Sequence, residues 1–444
     1  MAIALQPVAF RLLQRQAPAL APRSTSASSA FLGGSKRSFS GAQFRSVNHH
    51  ASVSHVSSAQ RSAVVSAFAG ALSSSHQLFF GPATTRLSTH PRKHRRSFAT
   101  STTMAASTHD ARVVTYNVLS SSLCEPTYFT HCAPDDLDPV QRLPKLMKKL
   151  EAEMAKGAVI GLQEVSQKWA GDLHVFFAER GYHMVCSLYG RPFNGYMGIA
   201  LAVPLEKYEM SKVDISRCSD TKKLPREQYD PGFLRKYFVD APVGLYRKIS
   251  GKRAPQSDWQ LARARFNTIM YATLRCKTTG VEFGVANYHM PCMFRNQKVM
   301  TIHCQLAAMY AQRMAGDKPA VLMGDFNIKP GDGGYELITR AELDDKHEAA
   351  PVPPEGGSWL TALTYPMKSA YKTKNGAEPD FTNHARIKDD DPFIDTLDYI
   401  FVSPAIDVVD VLPLPNRDEV KGPFPAPEEP SDHILLAATL RVSK

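Results

Sequence analysis

Between residues 110 and 444 the sequence predicts a single α/β unit, and three observations carry that expectation. Short aliphatic and β-branched runs alternate with stretches of helical spacing. No linker long or polar enough to divide the stretch interrupts them. A content of 43% hydrophobic and 21% charged residues supplies the apolar material for a buried core. The same composition excludes a collagenous or wholly disordered chain, and no uninterrupted apolar run approaches the roughly 18 residues that cross a bilayer.

Taken in order, strands are expected over residues 111–115, 159–162, 197–203, 268–274, 281–287, 320–323, 397–402 and 434–440. Helices are expected over 140–156, 167–180 and 295–315. The third carries Val299, Ile302, Leu306 and Met309 at helical spacing, so one of its faces should pack on a sheet. Pro and Gly clusters at 330–334, 351–357 and 413–427 read as loops. The seven cysteines are scattered and form no C-x-x-C pair, which argues against a zinc cage or disulfide framework and for reduced thiols.

Residues 1–109 are written in a different composition. They contain no Asp or Glu, hold twelve of the 53 Lys and Arg, and are crowded with Ser, Ala, Thr and His. In a helix over 5–15, Leu5, Val8 and Leu12 would share one side with Arg11 and Arg15 beside them, as in an import signal. The stretch Arg95-Arg96-Ser97-Phe98-Ala99-Thr100 resembles a mitochondrial processing site. A transit peptide for the mitochondrial matrix is therefore expected, with a plastid stroma address, or a cytosolic protein starting at Met104, as alternatives. The remaining chain carries 41 basic against 42 acidic residues, so the formal charge of +11 belongs to the leader and does not itself imply a nucleic-acid partner.

One region of the α/β unit is locally charged. Over 207–265 there are fourteen Lys or Arg, among them Lys222, Lys223, Lys252 and Arg253, against seven acidic residues, with Tyr229, Phe233, Tyr237, Phe238, Tyr246 and Trp259 interleaved. Cations for phosphates and rings for bases are what single-stranded nucleic acid needs. A solvated surface insertion would read the same way.

The polar residues that carry chemistry stand where expected strands end: Asn117, Glu164, His289, the Asp325-Phe326-Asn327 run, Asp398 and the Asp432-His433 pair. Strand ends at one edge of a sheet can bring distant side chains to a single cleft. Six pieces in order, Thr115-Tyr116-Asn117-Val118-Leu119, Leu162-Gln163-Glu164-Val165, Asn287-Tyr288-His289, Met323-Gly324-Asp325-Phe326-Asn327, Leu397-Asp398-Tyr399-Ile400-Phe401 and Ser431-Asp432-His433, resemble the endonuclease/exonuclease/phosphatase superfamily, also called deoxyribonuclease I-like. Asn117-Val118-Leu119, the Ala286–Met290 histidine strand and Glu378-Pro379-Asp380-Phe381-Thr382-Asn383 are similar to the branch that holds the carbon catabolite repressor deadenylases, nocturnin and the 2′,5′-phosphodiesterases.

The resemblance implies a four-layer sandwich over 110–444, two packed mixed β-sheets flanked by helices. It implies Mg²⁺ or Mn²⁺, and oxygen ligands without cysteine suit such a hard ion. Glu164 is the expected metal ligand, with Asn117 and Asp432 assisting. Asp325 should orient or deprotonate the attacking water, Asn327 hold that water or a phosphate oxygen, and His289 donate to a nonbridging oxygen. His433, aligned by Asp398, would serve as acid/base or phosphate contact. Whether Asp325 or His433 takes the proton stays open at this stage. Phe393, five positions before Asp398, is where the branch stacks a nucleobase. Asn287 and Phe294 are further expected substrate contacts, although Phe294 falls near a proline of the deadenylases and Gly331 replaces a common serine, departures that bear on poly(A) preference.

The expected activity is thus a Mg²⁺-dependent phosphodiesterase or exoribonuclease acting on RNA or short oligonucleotides. A phosphatase of a small phosphorylated dinucleotide or inositol phosphate is the alternative, and Lys222, Lys223, Lys252 and Arg253 discriminate by whether they face the cleft.

Overall fold

The structure is a computed structural model and describes residues 107–226, 236–243 and 255–444. The leader to residue 106 lies outside them, as do Lys252 and Arg253.

Apolar residues alternate between two destinations along the interior strands, and that alternation builds the layers. In β1 (Thr108–Asn117), Ala111 and Val113 point into a core shared by two sheets, while Val114 and Tyr116 point to the opposite face. Both faces of the central strands are buried, which is why they read as nearly continuous apolar runs.

The first six-stranded sheet has the order β13-β14-β1-β2-β4-β3. It combines β1 with β2 (Val159–Val165), β3 (Tyr182–Leu188), β4 (Gly198–Pro204), β13 (Ile406–Val411) and β14 (Leu436–Ser443). The second has the order β5-β6-β7-β8-β12-β9. Its members are β5 (Tyr208–Arg217), β6 (Thr268–Cys276), β7 (Glu282–His289), β8 (Ala320–Asp325), β9 (Lys368–Ser369) and β12 (Asp398–Val402). Each sheet is mixed: β1–β2 and β7–β8 are parallel, and the other pairs are antiparallel. A hairpin of β10 (Asn383–Ala385) and β11 (Phe393–Asp395) stands apart.

Helices cover the outer faces. After a short α1 (Pro134–Leu137), α2 (Pro139–Met154) and α3 (Gln167–Ala178) lay Leu146, Leu150, Trp169 and Phe177 on the first sheet. Their starts are fixed by caps: Asp138 accepts from the Val140 N–H and Ser166 from the Trp169 N–H. After α4 (Asp258–Arg263), α5 (Gln297–Ala315), capped by Asn296, buries Val299, Ile302 and Leu306 on the second sheet. The order helix, sheet, sheet, helix is the expected four-layer sandwich. Two further helices, α6 (Gly333–Arg340) and α7 (Ala370–Asn375), follow later in the chain.

Two expectations change. The charged stretch from 207 begins with a true sheet member, because β5 is the edge strand of the second sheet and its exposed face carries the charge. The 330–334 cluster is a turn that leads directly into α6.

The sheets approach closely at Gly161, where a Cβ would lie 2.6 Å from the Met323 Cε and 3.0 Å from the Asn287 Cγ. A side chain at residue 161 would crowd Met323 and Asn287 across that seam, which ends at the cleft described next.

Candidate active site

Four of the strand-end residues share the inward parity of the core. Asn117 continues Val113 and Thr115, His289 continues Phe283 and Val285, Asp325 continues Val321 and Met323, and Asp398 precedes Ile400 and Val402. They therefore emerge side by side where the seam between the sheets opens.

Glu164 breaks the parity. By strict alternation it would face α3, yet its φ of 60° is left-handed and the β2–β4 register shifts between Gln163 and Val165. This bulge swings the carboxylate into the cleft. There the Ser120 N–H donates to Glu164 Oε2 (3.1 Å) and the Asn117 amide approaches Oε1 (3.4 Å).

Asp325 is the hub. Asn117 Nδ2 donates to its Oδ2 (2.9 Å) and the Asn327 N–H to its Oδ1 (2.9 Å). His289 Nε2 stands 3.6 Å and His433 Nε2 3.8 Å from the same Oδ2, and His289 Nε2 lies 3.8 Å from Glu164 Oε1. Burial, reinforced by Asp398, pushes the Asp325 carboxyl up to about 6 against the pull of His433, His289 and the Asn117 amide.

His433 is oriented from behind. Its Nδ1 meets Asp398 Oδ2 at 2.7 Å, and that oxygen also accepts from the Thr382 hydroxyl at 2.7 Å. Burial opposes the imidazolium, but Asp398, Asp325 and Asp432 outweigh it and raise His433 well above the ordinary histidine range. Ligand atoms of Asp325, Asp398 and His433 lie within 4.8 Å of one another. Because Nδ1 is already committed to Asp398, we read this trio as a proton-positioning relay and not as a metal cage.

Asp432 is fixed by its neighbours: the Ser431 hydroxyl donates to the Asn117 carbonyl (2.7 Å) and the His384 N–H to the Asp432 carbonyl (2.9 Å). Its carboxyl is pushed up by burial and, after relief from His433, by the facing Glu164. Behind it the fully buried Arg142 donates to the carbonyls of Val118, Leu119 and Pro430, so a single guanidinium ties the loop after Asn117 to the loop before Asp432.

The structure thus gathers Asn117, Glu164, His289, Asp325, Asn327, Asp398, Asp432 and His433. Phe393 opens β11, opposite Ala385, and is half-buried; it is Asn383, at the other end of that hairpin, that bridges to His433. Phe294 is half-buried in the loop that follows His289, with the Arg295 guanidinium 5.7 Å from its ring centroid.

Three expected substrate contacts are not brought to the cleft. Asn287 is completely buried in the seam, its amide donating to the Leu162 and Ala200 carbonyls and accepting from Gln163 Nε2 (2.7 Å). With its hydrogen-bonding ends spent on joining the sheets, it ties layers together instead of meeting substrate. Lys222 lies with its Nζ 4.0 Å from the Trp359 ring centroid, beside Met309, at a cavity of about 370 Å³ lined by the C-terminal half of α5. The cleft is at the other end of that helix. Lys223 is exposed on the same loop.

Two positioning groups escaped sequence reasoning. Tyr189 donates its hydroxyl to His289 Nδ1 (2.8 Å), in the arrangement that leaves Nε2–H facing Glu164 and Asp325, and burial with those two carboxylates keeps the phenol protonated. No motif marks it. Thr382 lies within the Glu378–Asn383 stretch already singled out, so a signal for it was present.

Residues 302–433 match the model of the Endonuclease/Exonuclease/phosphatase family. Carbon catabolite repressor protein 4 homolog 1 of Arabidopsis thaliana is 31% identical over 368 residues, which span 74% of this chain and 57% of that protein. The CCR4-Not complex 3′-5′-exoribonuclease subunit Ccr4 of Aspergillus clavatus is 35% identical over 138 residues, 30% of this chain and 20% of that one. The chain thus spans little more than half the length of the first of these relatives. Among solved structures, ANGEL2, a 2′,3′-cyclic phosphatase crystallised with adenosine-2′,3′-vanadate, shares the fold with a TM-score of 0.57 at 18% identity, over 76% of this chain and 96% of that one.

Proposed function

The chain belongs to the endonuclease/exonuclease/phosphatase family, and from that premise we propose that it is a metal-dependent phosphoric ester hydrolase that cleaves RNA or short oligonucleotides from a 3′ end. One observation carries the reading: four strand ends and one bulge deliver Asn117, Glu164, His289, Asp325 and the Asp398–His433 pair to a single buried cleft. Relatives named as 3′-5′-exoribonuclease subunits support the substrate class.

The donor set fits a hard divalent cation. Glu164 faces Asp432 and raises the cost of ionising it. Cys292, whose thiol feels Asp325 and Glu164, is pushed up to about 12 by burial and those carboxylates, so it stays a neutral S–H and offers no thiolate. Glu164, with Asn117 and Asp432, would hold the ion. Mg²⁺ or Mn²⁺ supplies neutralisation of phosphate charge when bound.

The remaining work falls to the chain's own groups. Asp325, ionised at neutral pH yet basic enough to take a proton, receives it from the attacking water. His433, protonated and anchored through Nδ1, presents Nε2–H to a nonbridging phosphate oxygen, and His289 presents its own Nε2–H from the other side. This division of labour favours Asp325 over His433 as proton acceptor. Asn327 is held by the Met290 carbonyl at 3.1 Å and orients the water or the phosphate.

Incubating the purified protein with labelled oligo(A), mixed-sequence RNA and 2′,5′-linked oligomers, with Mg²⁺ or with EDTA, tests the proposal. Cleavage that needs the metal is expected, and unchanged substrates under every metal condition would remove it. The placement of Lys222 away from the cleft favours a second reading, hydrolysis of a small phosphorylated metabolite. A dinucleotide phosphate and inositol phosphates in the same assay discriminate the two. The leader composition supports import into the mitochondrial matrix, which a fluorescent fusion of residues 1–109 would report.

A further inference from the structure

We propose that the loop 190–197 together with Phe266 forms a stacking platform for single-stranded RNA on the Glu164–His289 side of the cleft. The inference rests on the hydrolase reading above and extends it to the substrate's length: a strand of several nucleotides, gripped beyond the phosphate that is cut.

Three aromatic rings are exposed here where rings ordinarily hide. Phe266 is 51% exposed, Phe193 41% and Tyr196 45%. The guanidinium of Arg191 lies 5.3 Å from the Phe266 ring centroid and that of Arg217 5.0 Å. Arg217 is held in place, its Nε donating to the Arg265 carbonyl (2.8 Å) and a terminal nitrogen to the Arg263 carbonyl. Flat cations against a solvent-facing ring offer stacking faces to bases and charge to phosphates, a combination that tolerates any sequence.

The platform is joined to the reacting groups by short covalent and hydrogen-bonded paths. Next to Phe266, the Asn267 amide donates to the His289 carbonyl (2.9 Å). Just before the loop, Tyr189 holds the His289 ring. Between Phe193 and Tyr196, the Asn194 carbonyl accepts from the Ser120 hydroxyl (2.9 Å), and the N–H of Ser120 donates to Glu164. The loop is also built to one shape. The Arg191 N–H donates to Asn194 Oδ1 (2.7 Å), Tyr196 is held at a left-handed φ of 53° by its N–H bond to the Arg191 carbonyl, and a Cβ on Gly190 would fall 2.4 Å from Asn194 Oδ1. A rigid platform loses little entropy when a strand settles on it.

The test measures binding and turnover separately. Binding of a dye-labelled eight-nucleotide RNA is followed by anisotropy in EDTA for the full chain and for Phe266→Ala, Arg191→Ala and the Phe193→Ala/Tyr196→Ala double variant. Turnover in Mg²⁺ is followed on the same RNA and on bis(4-nitrophenyl) phosphate. Loss of a stacking ring should weaken RNA binding about tenfold, and the loss of kcat/KM on the RNA should exceed the loss on the small diester. Binding within twofold of wild type in all three variants, or equal losses on RNA and diester, would overturn the platform while leaving the hydrolase reading intact. Failure of the unaltered protein to hydrolyse either substrate would instead remove the hydrolase reading, and the anisotropy result would still decide the platform.

Discussion

Replacing Asp398 by Asn separates the charge of this carboxylate from its geometry. Asp398 Oδ2 accepts both from His433 Nδ1 (2.7 Å) and from the Thr382 hydroxyl (2.7 Å), whereas buried Oδ1 has no hydrogen-bond partner. Thr382 cannot swap roles, because its oxygen already accepts from the N–H groups of Leu397 (2.9 Å) and Asp398 (3.0 Å) and its own proton must go outward. The Asn side chain is therefore expected to keep its oxygen at the Oδ2 position, preserve the His433 tautomer and place its NH₂ where Oδ1 was. What is lost is the difference between a charge-assisted and a neutral hydrogen bond, about 1–2 kcal/mol, which corresponds to roughly a five- to thirtyfold fall in kcat. Stranding amide protons at a buried position should also lower stability by about 1–3 kcal/mol. Steady-state kinetics on an oligoribonucleotide with Mg²⁺, alongside a thermal melt, would read both effects. Wild-type kcat in the variant would refute the role given to Asp398. A fall beyond about a thousandfold would show instead that the amide had flipped and forced the wrong tautomer, which the Thr382 lock is argued to prevent.

Three other outcomes are expected. Tyr189→Phe removes the hydroxyl that fixes His289 while leaving the ring; kcat on the same substrate should drop about tenfold with KM little changed, and an unaltered kcat would show that His289 needs no such partner. Glu164→Gln should raise the Mg²⁺ concentration for half-maximal activity by about tenfold or more, and a metal titration with unshifted midpoint would exclude Glu164 as the ligand. His303 is fully buried, accepts from the Tyr288 hydroxyl at Nδ1 and donates from Nε2 to the Ala262 carbonyl, and burial lowers it to about 4. Its unfolded form binds a proton from about pH 6.5 downward and its folded form only near 4, so stability falls as pH drops through that window and levels below it. The shift amounts to about 3 kcal/mol; denaturant melts from pH 7 to 4 should show a shallower loss in His303→Gln than in the wild type, and parallel losses would refute the assignment.

How much of the fold was legible follows from where each strand lies. The eight strands expected from sequence, β1, β2, β4, β6, β7, β8, β12 and β14, are the interior members of the two sheets, buried on both faces and so written as apolar runs. The four that escaped notice in those sheets, β3, β5, β9 and β13, are the four edges. An edge strand need satisfy only one neighbour and profits from charge that discourages further pairing, so Lys212 and Asp214 in β5 masked its strand character. The β10–β11 hairpin, three residues to a strand, is too short to show a period.

The site divides along the same physical line. Asn117, His289, Asp325 and Asp398 were legible as a set because each sits at the end of an interior strand at a position of inward parity, so the pattern that builds the core also delivers them to its open edge. Asn287 has that same parity two residues earlier in β7, and this is why it looked like a site residue: being one step deeper, it meets the other sheet's carbonyls before it can meet solvent. Glu164 has the opposite parity, and no alternation rule would send it to the cleft. It arrives there through a left-handed backbone that costs a non-glycine residue of order 1–3 kcal/mol. Hydrogen bonds from Ser120 N–H to its carboxylate and from Val118 N–H to the Gln163 carbonyl (3.0 Å) hold the bulge in place. The residue expected to hold the metal thus reaches its position through a strained backbone. A cation drawn to Glu164 would stabilise the bulge that presents it, so ion binding and local backbone order should rise together at Gln163 to Val165, and amide exchange at those three residues, slowed by Mg²⁺ in the wild type and unresponsive in Glu164→Gln, is the measurement that joins them.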